Sequence, residues 1–220
     1  MEILDHSQYV EMTMHFRCNL KCEHCMIENT MDWLEPESIK QFKEILAYNN
    51  QHHRWKGIIL TGSEVTLRRD LPELIEMARD SGFERVRIQT NAIRLADNNY
   101  CQKLIEAGVN EFFVSVLTAD IKTYDNIAGL SGAYERTLAG LENIDRYDGV
   151  ILITNTVITN RSYRYLPKVV KLLNHLRNLV QFEFWSYFPM KEVDDKDLLV
   201  PHELVVPYVR EAISLAKNRG

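Results

Sequence analysis

The stretch Tyr9-Val10-Glu11-Met12-Thr13-Met14-His15-Phe16-Arg17-Cys18-Asn19-Leu20-Lys21-Cys22-Glu23-His24-Cys25 holds two patterns end to end. Residues 9–16 alternate, with Glu11, Thr13 and His15 on one side and apolar residues between them, which is the period of a β-strand. Three cysteines spaced C-x3-C-x2-C follow at once, so whatever they bind lies at the strand's C-terminal end. Further strand-like runs occupy 57–61, 85–90, 111–117, 150–158 and 180–188, and helical periodicity marks 36–48, 71–81, 97–107, 134–147, 163–179 and 201–217. Pro36, Pro72 and Pro201 fall early in three of these helices, where a missing amide does no harm, and Gly82 and Gly108 follow the ends of two others.

Strict alternation of strand and helix predicts a parallel sheet with right-handed crossovers. Six such units are two short of a closed eight-stranded barrel. Strands buried on both faces should be apolar throughout, yet three of these carry a polar side: Glu11, Thr13 and His15; Arg87, Gln89 and Asn91; Gln181, Glu183 and Trp185. A polar interior cleft accounts for all three. The expected fold is therefore α/β, an incomplete (βα)6 TIM-like barrel with parallel strands, formed by residues 1–220 as one domain.

Composition narrows the function. With 45% apolar and 26% charged residues the chain has a sizeable core and is not a disordered segment. Its net charge of -5 offers no general attraction to a phosphate backbone, so nucleic acid is not an expected partner. Apolar runs stay at about ten residues or fewer, short of a membrane span, and no basic leader precedes an apolar core at the N-terminus. These features predict a cytoplasmic protein that uses no membrane. Three of its four cysteines lie within eight residues, which suits metal binding in a reducing compartment better than a disulfide framework.

Structural zinc takes four ligands, usually in two paired motifs, and here the fourth cysteine, Cys101, stands alone on a predicted helix. His24 or His15 would have to complete such a site without the usual spacing. Three thiolates in one loop instead suit a cubane 4Fe-4S cluster that leaves one iron open to a chelating small molecule. A non-catalytic zinc-binding or redox-sensing module remains the alternative reading.

At Cys18, Cys22 and Cys25 the sequence resembles the radical S-adenosylmethionine (radical SAM) superfamily, whose hallmark is C-x3-C-x-aromatic-C after the first strand. His24 stands where the family usually has an aromatic residue against the adenine. The segment Leu60-Thr61-Gly62-Ser63-Glu64-Val65 resembles the family's Gly-Gly-Glu-Pro turn, with Ser63 for the second glycine and Val65 for the proline. The resemblance implies that Gly62, Ser63 and Glu64 meet the ammonium of the methionine moiety, and that Gln89, Asn91, Ser115 and Asn155 surround its carboxylate, ribose and adenine. A Gly-x-Ile-x-Gly-x-x-Glu pattern of some members is absent; Asn155-Thr156-Val157-Ile158 takes its place. The implied cofactors are a 4Fe-4S cluster and S-adenosyl-L-methionine. The implied chemistry is reductive cleavage to a 5'-deoxyadenosyl radical that takes hydrogen from a peptide or small-molecule substrate.

Such an enzyme needs a low-potential electron donor such as flavodoxin or ferredoxin, and Arg17 and Lys21 form a basic collar beside the cysteines. On the last strand Trp185 and Tyr187 share the polar face with Glu183 and are expected to line the substrate pocket, while the charged segment 191–197 is expected to form a solvated loop over the mouth. The chain ends after an amphipathic helix, as a compact core enzyme or a core domain without its C-terminal extension would.

Overall fold

A computed structural model of the chain describes residues 6–27, 34–189 and 195–218. Six strands, β1 (Tyr9–His15), β2 (Gly57–Gly62), β3 (Arg85–Thr90), β4 (Glu111–Ser115), β5 (Ile151–Ile158) and β6 (Leu179–Ser186), form one sheet in sequence order. Every neighbouring pair is parallel. β1 and β6 are its two edges, so the barrel stays open on one side, as the polar alternation required. The helices are α1 (Ile39–His52), α2 (Leu71–Asp80), α3 (Asn98–Ala107), α4 (Ile121–Ala128), α5 (Ala133–Asp145), α6 (Leu166–Leu173) and α7 (His202–Lys217).

Local chemistry sets the helix ends, and in places it departs from the periodicity. α1 begins at Ile39 because Ser38 caps it: the Ser38 hydroxyl accepts the Gln41 amide while the Gln41 side chain accepts the Ser38 amide. Pro36 therefore lies ahead of the helix, not inside it. α4 was not evident from hydrophobic periodicity because it spans only two turns. Its end signals are nonetheless present, with the Asp120 carboxylate accepting the Thr123 amide and Gly129 closing the helix at φ +65°. The helix expected over 163–179 shortens to Leu166–Leu173, preceded by a 3-10 turn.

The two faces of the sheet divide the chemistry. Met12, Met14, Ile58, Leu60, Val86, Ile88, Phe112, Val114 and Leu152 point outward into the main apolar core beneath the helices. The alternate residues point into the barrel, and at its N-terminal end they make a buried ionic plug. Arg87 Nε donates to Glu111 at 2.9 Å, both side chains are almost wholly buried, and the Tyr9 hydroxyl lies 2.9 Å from each Glu111 oxygen. The Arg87 guanidinium also lies 4.5 Å from the centre of the Tyr9 ring. A β-carbon at Gly57 would fall 2.2 Å from that ring, so the residue between Tyr9 and Arg85 in the register has to be glycine. Burial and the Glu111 carboxylate push the Tyr9 hydroxyl up to about 12, which keeps it a donor.

Removing one charge of this pair strands the other in the interior. Glu111→Gln is expected to cost about 3 kcal/mol, measured as a fall in urea-unfolding free energy, and the double variant Arg87→Met/Glu111→Gln is expected to cost less than the sum of the two single changes.

Candidate active site

The C-terminal strand ends surround a cavity of about 530 Å³. Cys18, Cys22, His24 and Cys25 line one wall; Gly62, Ser63, Gln89, Asn91, Ser115 and Asn155 line the strand ends around it, with Phe113, Leu117, Tyr124, Val157 and Trp185. Ten of the eleven residues singled out in the sequence for the cluster and its cofactor therefore share one hollow, together with Trp185. The eleventh, Glu64, is fully buried and is not part of the lining.

Glu64 was expected to offer its carboxylate to an ammonium. That carboxylate is instead engaged within the protein: one oxygen accepts the Thr66 amide at 3.1 Å and the Thr66 and Thr90 hydroxyls, and the other accepts the Asn91 amide at 2.7 Å. Burial raises its pKa while these donors oppose the shift. The turn presents Gly62 and Ser63 to the cavity and uses Glu64 to hold β2 and β3 together beneath it.

Backbone contacts bring the cysteine loop and this turn into register. Gly62 adopts φ +141°, and a β-carbon there would lie 1.9 Å from the His15 carbonyl oxygen. The next two amides, Ser63 and Glu64, donate to the His15 and Arg17 carbonyls at 2.8 and 3.1 Å. On its other side the loop is tied to the end of α4, where the Lys21 and Glu23 amides donate to the Ala128 and Ile127 carbonyls at 3.0 and 2.9 Å. These carbonyls belong to the unpaired last turn of the helix, so α4 is satisfied by the very loop it supports.

Two donors are aimed at the Cys18 sulfur. The Leu20 amide lies 3.3 Å from Cys18 Sγ, and Asn91 Nδ2 lies 3.8 Å from it while donating to Asn19 at 2.7 Å. Ala92, at φ 60°, turns the chain so that Asn91 faces the loop, and Asn91 Oδ1 accepts the Ile93 amide at 3.0 Å. Burial, followed by the charges of Cys18, Cys25 and Glu64, pushes the Cys22 thiol up to about 12, and burial also raises Cys18. In the absence of a cation these thiols stay protonated, and loading metal releases their protons. Burial, with Lys196 nearby, lowers His24 to about 4, so its ring is neutral.

Cys101 lies elsewhere, wholly buried on α3 in the apolar core. Among the described residues no three His, Cys, Asp or Glu side chains converge on a single metal ion. Cysteines serving a cubane each bind a different iron and need no such convergence. The donor set fits a cluster. The cavity also contains polar atoms with no partner among the described residues, Ser63 Oγ and Asn155 Nδ2, both buried. Such groups are costly to bury unless a ligand satisfies them.

The sequence did not single out Phe113, Leu117, Tyr124 or Val157 as lining residues. Inward parity on β4 and β5 would have found Phe113 and Val157, whereas Tyr124 reaches the cavity only through α4. Tyr187, expected beside Trp185, is buried and lies outside the lining. Of the charged segment over the mouth, residues 191–194 lie outside the described residues. Of its described residues, Asp195 and Asp197 are exposed and Lys196 is half-buried; the next residue, Leu198, is fully buried and its carbonyl accepts the Asn160 amide at 2.9 Å.

Glu64 and Asn155 should separate cleanly in stability. Glu64→Gln turns an amide group toward donors and is expected to lower the urea-unfolding free energy of the metal-free chain by about 1–3 kcal/mol, whereas Asn155→Ala, which removes an unpartnered nitrogen, is expected to change it by much less.

Residues 12–173 match the family model described as the radical SAM superfamily. The chain is 31% identical over 188 residues to an AdoMet-dependent heme synthase of Methanosarcina barkeri, an alignment covering 84% of this chain and 52% of that protein. It is likewise 31% identical over 183 residues to a GTP 3',8-cyclase of Tolumonas auensis, covering 80% and 49%. The chain thus spans about half the length of these relatives. Among solved structures, Streptococcus suis SuiB bound to S-adenosylmethionine superposes with a TM-score of 0.70 at 19% identity, over 94% of this chain and 48% of that one. Escherichia coli coproporphyrinogen III oxidase (HemN) gives 0.63 at 13%, over 97% and 53%. These two likenesses concern the fold, the same partial barrel of six parallel strands. Together with the cysteine spacing and the match over most of its length, they place the fold and the sequence in agreement: the chain belongs to the radical SAM superfamily.

Proposed function

We propose that the protein is a radical SAM enzyme acting on a peptide or small-molecule substrate, with residues 1–220 forming its core domain. The observation that carries this reading is one cavity whose wall holds three cysteines from a single loop and whose lining includes the unpartnered Ser63 Oγ and Asn155 Nδ2. Family membership implies a 4Fe-4S cluster and S-adenosylmethionine. When bound, they supply a carbon radical able to take hydrogen from an unactivated position.

In this reading Cys18, Cys22 and Cys25 hold three irons, and the Leu20 amide and Asn91 side chain offset negative charge on the Cys18 sulfur. Gly62, Ser63, Gln89, Asn91, Ser115 and Asn155 orient the cofactor, and the neutral His24 ring lies against it. Gln89 is itself oriented by the Thr61 hydroxyl, which donates to it at 2.6 Å. Glu64 acts as a positioning residue through Asn91 and the turn. Phe113, Leu117 and Val157 exclude water from the centre. Arg17 and Lys21, both exposed, offer an acidic electron-transfer protein such as flavodoxin or ferredoxin a docking collar.

Anaerobic reconstitution with iron and sulfide tests the core of this reading. The expected product is brown and holds about four irons per chain. Alanine at Cys18, Cys22 or Cys25 abolishes loading, while Cys101→Ala retains it. A colourless protein that retains zinc would sink the proposal. Asn155→Ala should also weaken S-adenosylmethionine binding to the reconstituted protein, measured by titration, without loss of iron.

The collar has a separate measurement. Replacing both Arg17 and Lys21 with Glu is expected to slow flavodoxin-driven cleavage of S-adenosylmethionine at low ionic strength, with a smaller effect when dithionite is the reductant. Equal flavodoxin-driven rates would move the docking surface elsewhere.

A further inference from the structure

The cavity has a second end at Phe113 and Trp185, built differently from the cysteine wall, and Gln181 and Glu183 lie beside it on β6, outside the lining. On β6 the inward residues are Gln181, Glu183 and Trp185, and Phe113 on β4 lies in the same layer as Gln181 through Ile153 of β5. The Trp185 ring packs on Phe113 with centroids 5.6 Å apart and planes tilted by 40°, which fixes the indole as a wall of the cavity. Its Nε1 donates to Glu183 Oε2 at 2.8 Å, and Gln181 Nε2 donates to Glu183 Oε1 at 2.9 Å. One carboxylate is thus held at both oxygens by neutral donors, beside an aromatic face that is 43% exposed.

The unbalanced charge is the informative feature. An ionised carboxylate has about four acceptor positions, and these two hydrogen bonds use two of them. Among the described residues no Lys, Arg or His forms an ion pair with Glu183, whereas the deeper carboxylate in the barrel, Glu111, is matched by Arg87. Among the described residues no strand pairs with the outer side of β6, so this end is reached through the open side of the barrel. A fixed carboxylate next to an indole face attracts a cation by two routes, the charge-assisted hydrogen bond and the ring quadrupole.

We propose that Glu183 and Trp185 form the seat for a cationic group of the substrate, such as a protonated amine, guanidinium or amidinium. The inference rests on the enzymatic reading above and extends it: the cofactor occupies the cysteine end, and the substrate enters past β6 with its positive group anchored at the other. Gln181 and Phe113 are positioning residues, the first for the carboxylate and the second for the indole plane.

Benzamidinium and its neutral isostere benzamide are the probes, titrated calorimetrically into the full chain after anaerobic reconstitution and saturation with S-adenosylmethionine. Benzamidinium is expected to bind at least about tenfold more tightly than benzamide, as a charge-assisted hydrogen bond implies. Glu183→Gln should erase that preference while leaving the affinity for S-adenosylmethionine in place; Trp185→Leu should weaken both probes. In the unaltered protein, raising the salt to about 1 M, where the Debye length is about 3 Å, should weaken benzamidinium alone, a readout that needs no variant to fold. No binding of benzamidinium, equal affinity for the two probes, or an unchanged preference in Glu183→Gln overturns the seat. If S-adenosylmethionine binds normally in those samples, the seat alone has failed; if the protein takes up neither cluster nor S-adenosylmethionine, the enzymatic reading fails and the seat with it.

Discussion

The buried carboxylate of Glu64 is the point on which the architecture of the site depends. It has no exposure to solvent and collects four hydrogen bonds, two from Thr66, one from Thr90 and one from the amide of Asn91. Its own amide donates to Arg17, at the start of the cysteine loop. A single residue, through its side chain and its backbone amide, thus joins the turn after β2, the end of β3 and the approach to Cys18. Those three segments come from distant parts of the sequence and must meet for the cavity to exist. The arrangement tolerates burial of a carboxylate because every oxygen has donors; with one missing, the desolvation cost would go uncompensated.

Around that tie the barrel separates two kinds of stability. The outer faces of the strands bury Met, Ile, Leu, Val and Phe against the helices, an interaction that is strong and indifferent to orientation. The inner faces carry polar groups, whose energies depend on geometry. At the N-terminal end Arg87 Nε pairs with Glu111 and Glu111 with Tyr9, while Arg87 Nη2 has no hydrogen-bond partner among the described residues. At the C-terminal end Ser63 Oγ and Asn155 Nδ2 are likewise without partners among the described residues. Of these orphaned atoms, those of Ser63 and Asn155 line the cavity, where a ligand can complete them, and Arg87 Nη2 does not.

The cysteine loop illustrates how much of a metal centre is set by backbone. The C-x3-C-x2-C spacing determines which residues can ligate, but the loop's path is dictated by bonds to the end of α4 and to the glycine turn. Gly62 and Gly129 are required by close approach: a β-carbon on either would meet the carbonyl oxygen of His15 or of Lys21, at 1.9 and 2.9 Å. These contacts rigidify the loop before any ligand binds, in keeping with a site that has to hold reactive groups in one geometry.

The sequence by itself determined the elements that repeat with a period or carry a distinctive residue type. Alternation in β1, β3 and β6, the strand–helix order and the spacing of Cys18, Cys22 and Cys25 are local patterns, and each follows from one stretch of chain. The open barrel was legible for the same reason, because the polar residues at 87, 89, 181 and 183 had no place in a sheet buried on both faces. Tertiary structure decided what these residues touch. Glu64 belongs to a turn whose type suggests contact with an ammonium, yet the closeness of Thr90 and Asn91, more than 25 residues on, draws its carboxylate inward. Tyr124 lines the cavity through a helix too short for its periodicity to register, one held in place by the loop it supports. Whether a polar side chain faces a ligand or a neighbouring strand depends on the distance between segments that the sequence does not order. That distance is set by packing of the whole barrel.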